Sequence, residues 1–220
     1  MHFLCLHGVG TNSKILELQT LAIRHALGPG HKYDFVEGGF DHPMEPSIAS
    51  IVSPSDTFHA YFDPRSGLSM LETMNDLDEL IAEADPPYDA VLGFSHGSSL
   101  AATMLTRPGR HTEQPPFKLA IFFSAGMAAD HASLTNDTIR VLQAAENQKS
   151  IIRIPTVHVY AENDLVAPGQ GTMLQNLCQP NDNYSSVHRL GHQIPGSADK
   201  KDLDAAVTAI KSAIKAVDGH

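Results

Sequence analysis

Apolar positions along the chain follow two rhythms. Short apolar runs at 3–7, 34–37, 90–93, 119–124, 156–161 and 184–189 predict six strands. Ala90-Val91-Leu92 and Leu119-Ala120-Ile121-Phe122-Phe123 are continuously apolar, as in parallel strands covered on both faces. Between the runs the spacing becomes helical. Ile15, Leu18, Ala22 and Leu27 mark one helix, opened by Thr11-Asn12-Ser13. Met70, Leu71, Met74, Leu77, Leu80, Ile81 and Ala84 mark a second, closed by Asp85-Pro86-Pro87. Further helices are predicted over 98–106, 134–148, 169–177 and 202–217; in the last, Leu203, Ala206, Val207, Ile210, Ala213, Ile214 and Val217 form one stripe. Alternation of this kind predicts a three-layer α/β fold: about six mainly parallel strands between layers of helices, in one domain over 1–220.

The stretch 38–67 breaks the rhythm. It carries Pro43, Pro46, Pro54 and Pro64 with Phe40, Phe58, Tyr61 and Phe62. It is too long for an ordinary connection, and its aromatics argue for order. An ordered flap is the expectation; a surface excursion with its own small apolar cluster is the alternative.

Composition narrows the function classes. Apolar residues make up 42% of the 220, enough for a core. A net charge of −10 argues against electrostatic nucleic-acid binding and against a polybasic membrane anchor. Two cysteines, Cys5 and Cys178, cannot make a disulfide framework, and Cys5 reads as a small core residue. The chain opens directly on a strand, with no basic and apolar leader and no run long enough to span a membrane; a cytoplasmic protein is expected.

The sharpest chemical signal is Gly93-Phe94-Ser95-His96-Gly97, set between a predicted strand and a predicted helix. A Ser on such a turn projects its hydroxyl from the sheet edge, and Gly93 and Gly97 leave room for the turn. The helix N-terminus beneath it favours developing negative charge. A Ser hydroxyl needs a base, and the base needs a carboxylate, following in the order Ser, acid, His. Asp164 follows the strand over 156–161, and His192 follows the next strand. These are the expected acid and base, leaving the same sheet edge as Ser95. Asp130 and Glu162 remain alternative acids. His158 lies mid-strand and is expected to be packed, and His188 with His192 lacks the Glu of a zinc-protease pair, so no metal is expected. An oxyanion needs donors. The His96 backbone N–H is one, and Leu6-His7-Gly8-Val9-Gly10 offers the Val9 N–H, with Gly8 and Gly10 shaping the loop and His7 ordering it.

Leu4-Cys5-Leu6-His7-Gly8, Gly93-Phe94-Ser95-His96-Gly97, Asp164-Leu165-Val166-Ala167-Pro168 and Gly191-His192-Gln193-Ile194-Pro195, in this order and spacing, resemble the fungal family of serine hydrolases. These are compact α/β-hydrolases related to the human ovarian-tumour-associated hydrolase. The resemblance spans nearly the whole chain and implies Ser95 as nucleophile, Asp164 as acid and His192 as base, with no cofactor. It also implies a thioester or ester substrate. In many members the acyl chain is a polyketide product of fungal secondary metabolism, held on the acyl carrier protein of a polyketide synthase. The residue after the nucleophile is often Gln in that family and is His96 here. A small-ester carboxylesterase and an acyl-transferring cyclase share the chemistry and stay open, as does a non-catalytic binding module on the same fold. The flap aromatics Phe40, Phe58, Tyr61 and Phe62 are expected to line an apolar acyl pocket.

Overall fold

The structure, a computed structural model, describes residues 1–109, 115–143 and 150–219. In chain order the elements are β1 (His2–Leu6), α1 (Ser13–Gln19), α2 (Leu21–Leu27), β2 (Lys32–Val36), β3 (Phe40–Asp41), β4 (His59–Ala60), α3 (Gly67–Glu83), β5 (Ala90–Phe94) and α4 (His96–Leu105). They continue with β6 (Leu119–Phe123), α5 (His131–Leu134), β7 (Thr156–Ala161), α6 (Gln170–Gln175), β8 (Asn183–His188) and α7 (Lys200–Asp218).

Six strands form one sheet in the order β2-β1-β5-β6-β7-β8, every pair parallel. Alternate residues of each strand enter opposite cores. Leu4, Leu6, Val91, Ala120 and Phe122 pack with Met70, Met74 and Leu77 of α3, Leu100 of α4 and Leu174 of α6. Phe3, Cys5, Leu92, Ile121, Phe123 and Val159 pack with Leu16 of α1, Ile23 of α2 and the Ala206, Ile210 and Ala213 stripe of α7. Each buried Leu, Ile or Phe contributes roughly 1.5–3 kcal/mol, and together they fix the three layers. The chain is thus an α/β-hydrolase fold of the expected kind. Among the described residues no helix is long and apolar enough to cross a membrane, and both cysteines are free and buried.

Two helical expectations fail locally. The first helix is interrupted at Thr20, whose hydroxyl turns back to the Leu16 carbonyl (2.8 Å) and separates α1 from α2. The helix expected over 134–148 is not formed over its described part. Helix α5 ends at Leu134, and Asp137 takes a left-handed φ of 53° while its carboxylate accepts from Ser66 Oγ (2.7 Å) and Leu68 N–H (3.1 Å). Thr135-Asn136-Asp137-Thr138 is a run of weak helix formers that prefers these turn bonds. Residues 144–148 lie outside the described residues.

The strand order places the site. From β1 the chain moves outward to β2, then returns past β1 to β5, so the loops after β1 and β5 diverge. The crevice at such a switch point is where parallel sheets hold ligands. The stretch 38–67 reaches it, with β3 and β4 paired antiparallel. Gly10 N–H donates to His59 O (2.9 Å), His59 N–H to Thr11 O (2.8 Å) and Glu45 N–H to Gly10 O (2.9 Å), strapping the segment to the loop after β1.

Candidate active site

Ser95 sits between β5 and α4 with φ 52° and ψ −111°, a conformation that L-residues rarely adopt. Its neighbours hold it there. Ser95 N–H donates to Phe123 O (2.9 Å), and Gly97 N–H donates to His7 O (3.1 Å). A Cβ at Gly93 would stand 2.6 Å from Ser98 N, and one at Gly97 would collide with the Leu6 carbonyl. Only glycine fits either position.

Two further loops at the C-terminal edge of the sheet bring the other groups in. His192 Nε2 lies 2.8 Å from Ser95 Oγ. Its Nδ1 lies 2.7 Å from Asp164 Oδ2, and the ring packs against Phe94 with centroids 5.3 Å apart. The second Asp164 oxygen accepts from the N–H groups of Val166 and Ala167, both at 2.9 Å. Burial works against the Asp164 charge, but the Ala167 N–H and the His192 imidazole outweigh it and hold the carboxyl below the usual range. Asp164 is therefore an anion at neutral pH, fixed on both oxygens. A hydroxyl, an imidazole and a carboxylate stand in hydrogen-bonded sequence, the geometry a general base needs to take a proton from a Ser.

The other candidate acids are engaged elsewhere. Asp130 caps α5, accepting from Ser133 N–H (3.0 Å). Glu162 pairs at the surface with Arg189 (3.2 Å). His188 turns Nδ1 to Leu190 N–H (3.2 Å). His158 is buried against Phe122, as a packed residue should be.

Val9 lines the same cavity as Ser95 and His192. Among the described residues neither the Val9 N–H nor the His96 N–H has an acceptor, so both remain available to an incoming oxyanion. Gly10, at φ 67°, lies against Pro43 and Glu45, and a Cβ at Gly8 would stand 2.9 Å from the Phe94 ring. His7 is fully buried: Nδ1 meets Gly8 O (2.7 Å) and Nε2 accepts from Gly38 N–H (3.0 Å), so it orders the loop. The His96 side chain leaves the cavity. It stacks on Phe62 with centroids 4.0 Å apart, and its Nε2 accepts from Tyr61 N–H (3.2 Å). Burial, with lesser contributions from His7 and His42, pushes it down to about 3, so the ring is neutral.

The cavity over Ser95 has a volume of about 720 Å³. Beside Val9 and Phe94 at its floor, its apolar lining includes Ile48, Ile51, Leu165, Val166, Leu190 and Ile194. The aromatics expected to line it do not. Tyr61 and Phe62 are core residues, the Tyr61 hydroxyl donating to Val36 O (2.7 Å) and accepting from His7 N–H (2.9 Å). Phe40 and Phe58 are half-buried outside the cavity. Tyr61 and Phe62 are taken up by the core and Phe40 and Phe58 lie outside, so the wall that the 38–67 segment supplies is the shorter Ile48 and Ile51. The signal for them was faint: Ile48 and Ile51 three apart after Pro46, and an apolar Leu165-Val166 pair directly beside an acid, 92% and 68% exposed.

Known proteins resemble the chain over nearly all of its length. The chain is 40% identical over 222 residues to Esterase FPY3 of Fusarium mangiferae, covering 100% of both chains. It is 26% identical over 277 residues to Esterase alnB of Emericella nidulans, covering 96% of each. In fold it is similar to the crystal structure of Arabidopsis thaliana SOBER1, with a TM-score of 0.58, 15% identity and coverage of 97% of this chain and 99% of that one. The family profile described as serine hydrolase (FSH1) matches residues 1–203. The chain belongs to the FSH1 family of serine hydrolases.

Proposed function

We propose that the protein hydrolyses an ester or thioester of an apolar acyl group through an acyl-enzyme on Ser95. The observation that carries this reading is the chain of contacts from Ser95 Oγ to His192 (2.8 Å) and from His192 to Asp164 (2.7 Å). His192 Nε2 takes the Ser95 proton as Oγ adds to the carbonyl carbon. The oxyanion is met by the N–H groups of Val9 and His96 at the start of α4. The tetrahedral adduct collapses as His192 delivers its proton to the departing alcohol or thiol. Water then repeats the sequence on the acyl-enzyme, losing a proton to His192 and releasing the acid. Asp164 stays ionised and stabilises the imidazolium. Aliphatic walls at Ile48, Ile51, Leu165 and Val166 support an apolar acyl group.

A finer reading is release of a polyketide-type acyl chain from a carrier protein. It predicts that a carrier-bound thioester outcompetes a short free ester. The segment 38–67 acts here as a flap that supplies the Ile48 and Ile51 wall. Hydrolysis of p-nitrophenyl esters of increasing chain length, with a carrier-bound acyl thioester alongside, tests both levels. Ser95→Ala should lower kcat by several orders of magnitude on every substrate. Unchanged turnover by Ser95→Ala refutes the mechanism, while equal rates on the carrier thioester and the short ester refute the finer reading.

A further inference from the structure

Beyond the end of the β7–β8 ladder the two segments stay paired through side chains. The last rung sets Ala161 opposite His188, and Glu162 N–H donates to His188 O (3.1 Å). From there three successive residues of one loop reach the other in turn. Glu162 Oε2 lies 3.2 Å from Arg189 Nη2, Asn163 follows, and Asp164 Oδ2 meets His192 Nδ1 at 2.7 Å.

The middle contact is the most constrained. Asn163 Nδ2 donates to Arg189 O (3.1 Å), while Gly191 N–H donates to Asn163 Oδ1 (3.2 Å). One side-chain amide thus does what a backbone rung would do, with a donor and an acceptor used together. Turning the amide over would break both bonds, so the network fixes its orientation. Asn163 directly precedes Asp164, and Gly191, at φ 69°, directly precedes His192. The Glu162–Arg189 pair beside it is exposed and screened, so it braces the loops less.

We infer that Asn163 is a positioning residue: its amide sets the spacing of the acid loop and the base loop, and so holds the imidazole between Asp164 and Ser95. The inference rests on the roles proposed above for those three residues. Misplacing reacting groups by about 1 Å can cost on the order of 100-fold in rate. Asn163 is itself exposed, so its removal should leave the fold intact.

The test uses Asn163→Ala and Asn163→Leu, the second matching Asn in shape without its hydrogen bonds. A short p-nitrophenyl ester gives kcat and KM, a thermal melt gives folding, and proton NMR follows the far-downfield Nδ1–H shared by His192 and Asp164. We expect kcat to fall about tenfold or more in both, KM to stay within about twofold, the melt to be unchanged and the downfield proton to broaden or vanish. A sharp downfield proton with kcat within about twofold of wild type in both variants overturns the positioning role. So does a lower melting temperature with unchanged kcat per folded molecule. Ser95→Ala in the same assay separates the two levels: if it retains wild-type turnover the site reading fails and this inference falls with it, whereas an inactive Ser95→Ala beside fully active Asn163 variants overturns the positioning role alone.

Discussion

Tyr61 shows how one side chain can serve two strands and the loop beneath the site. Its hydroxyl donates to Val36 O at the end of β2 and accepts from His7 N–H just past β1, and the ring lies against both His7 and His96. Tyr61→Phe keeps the ring and leaves a buried N–H and a half-buried carbonyl without this partner. A fully buried unpaired group costs about 1–3 kcal/mol and a half-buried one less, so urea denaturation should show a loss of about 2–4 kcal/mol. A loss below about 0.5 kcal/mol would mean that neither bond matters to the fold. Ser95 was legible in the sequence because its backbone conformation demands close-fitting glycines on both sides, and residue types record that demand directly. The role of Tyr61 was not: nothing in the chain marks which aromatic finds two backbone partners in the core and which stays at a wall.

Among the elements, β7 carries a titratable group at a mid-strand position that was expected to be packed. His158 is buried, and neither ring nitrogen has a partner. Burial pushes it from 6.5 down to about 3. The unfolded chain therefore binds a proton below pH 6.5 that the native protein refuses until about pH 3. Stability is unaffected above that window and falls by about 1.4 kcal/mol per pH unit inside it, roughly 2 kcal/mol by pH 5. Replacing the ring by an aliphatic group, His158→Leu, should flatten the decline between pH 7 and 5 by about that amount in urea titrations; an unchanged slope would show that the native His158 titrates like a free one. The central strands were readable because continuous burial on two faces leaves little freedom in reading β5 and β6, whereas the edge strands β2 and β8 mix Lys32, Asp34, Ser185 and Ser186 with their apolar positions. The helix expected over 134–148 was misread in its described part because Asp137 has partners in Ser66 and Leu68 that lie some 70 residues away. Contacts at that sequence distance leave no local trace.

In the whole molecule a parallel sheet does the assembling. Ser95, Asp164 and His192 follow β5, β7 and β8, and parallel strands deliver all three loops to one edge. The alternation of strand and helix announced that edge, so residues 97 positions apart could be paired before any coordinates. The cavity wall was not announced, because it is assembled from the 38–67 segment and two loops whose apposition depends on the full tertiary fold. The proposed mechanism is activation of Ser95 by His192, which Asp164 holds in place. Treating the folded protein with a fluorophosphonate, then measuring intact mass and mapping the modified peptide, tests it most directly. One adduct per chain is expected, on Ser95, forming at least about 100-fold more slowly in His192→Ala. An adduct on another residue, or no adduct in a protein that still hydrolyses ester, would contradict it.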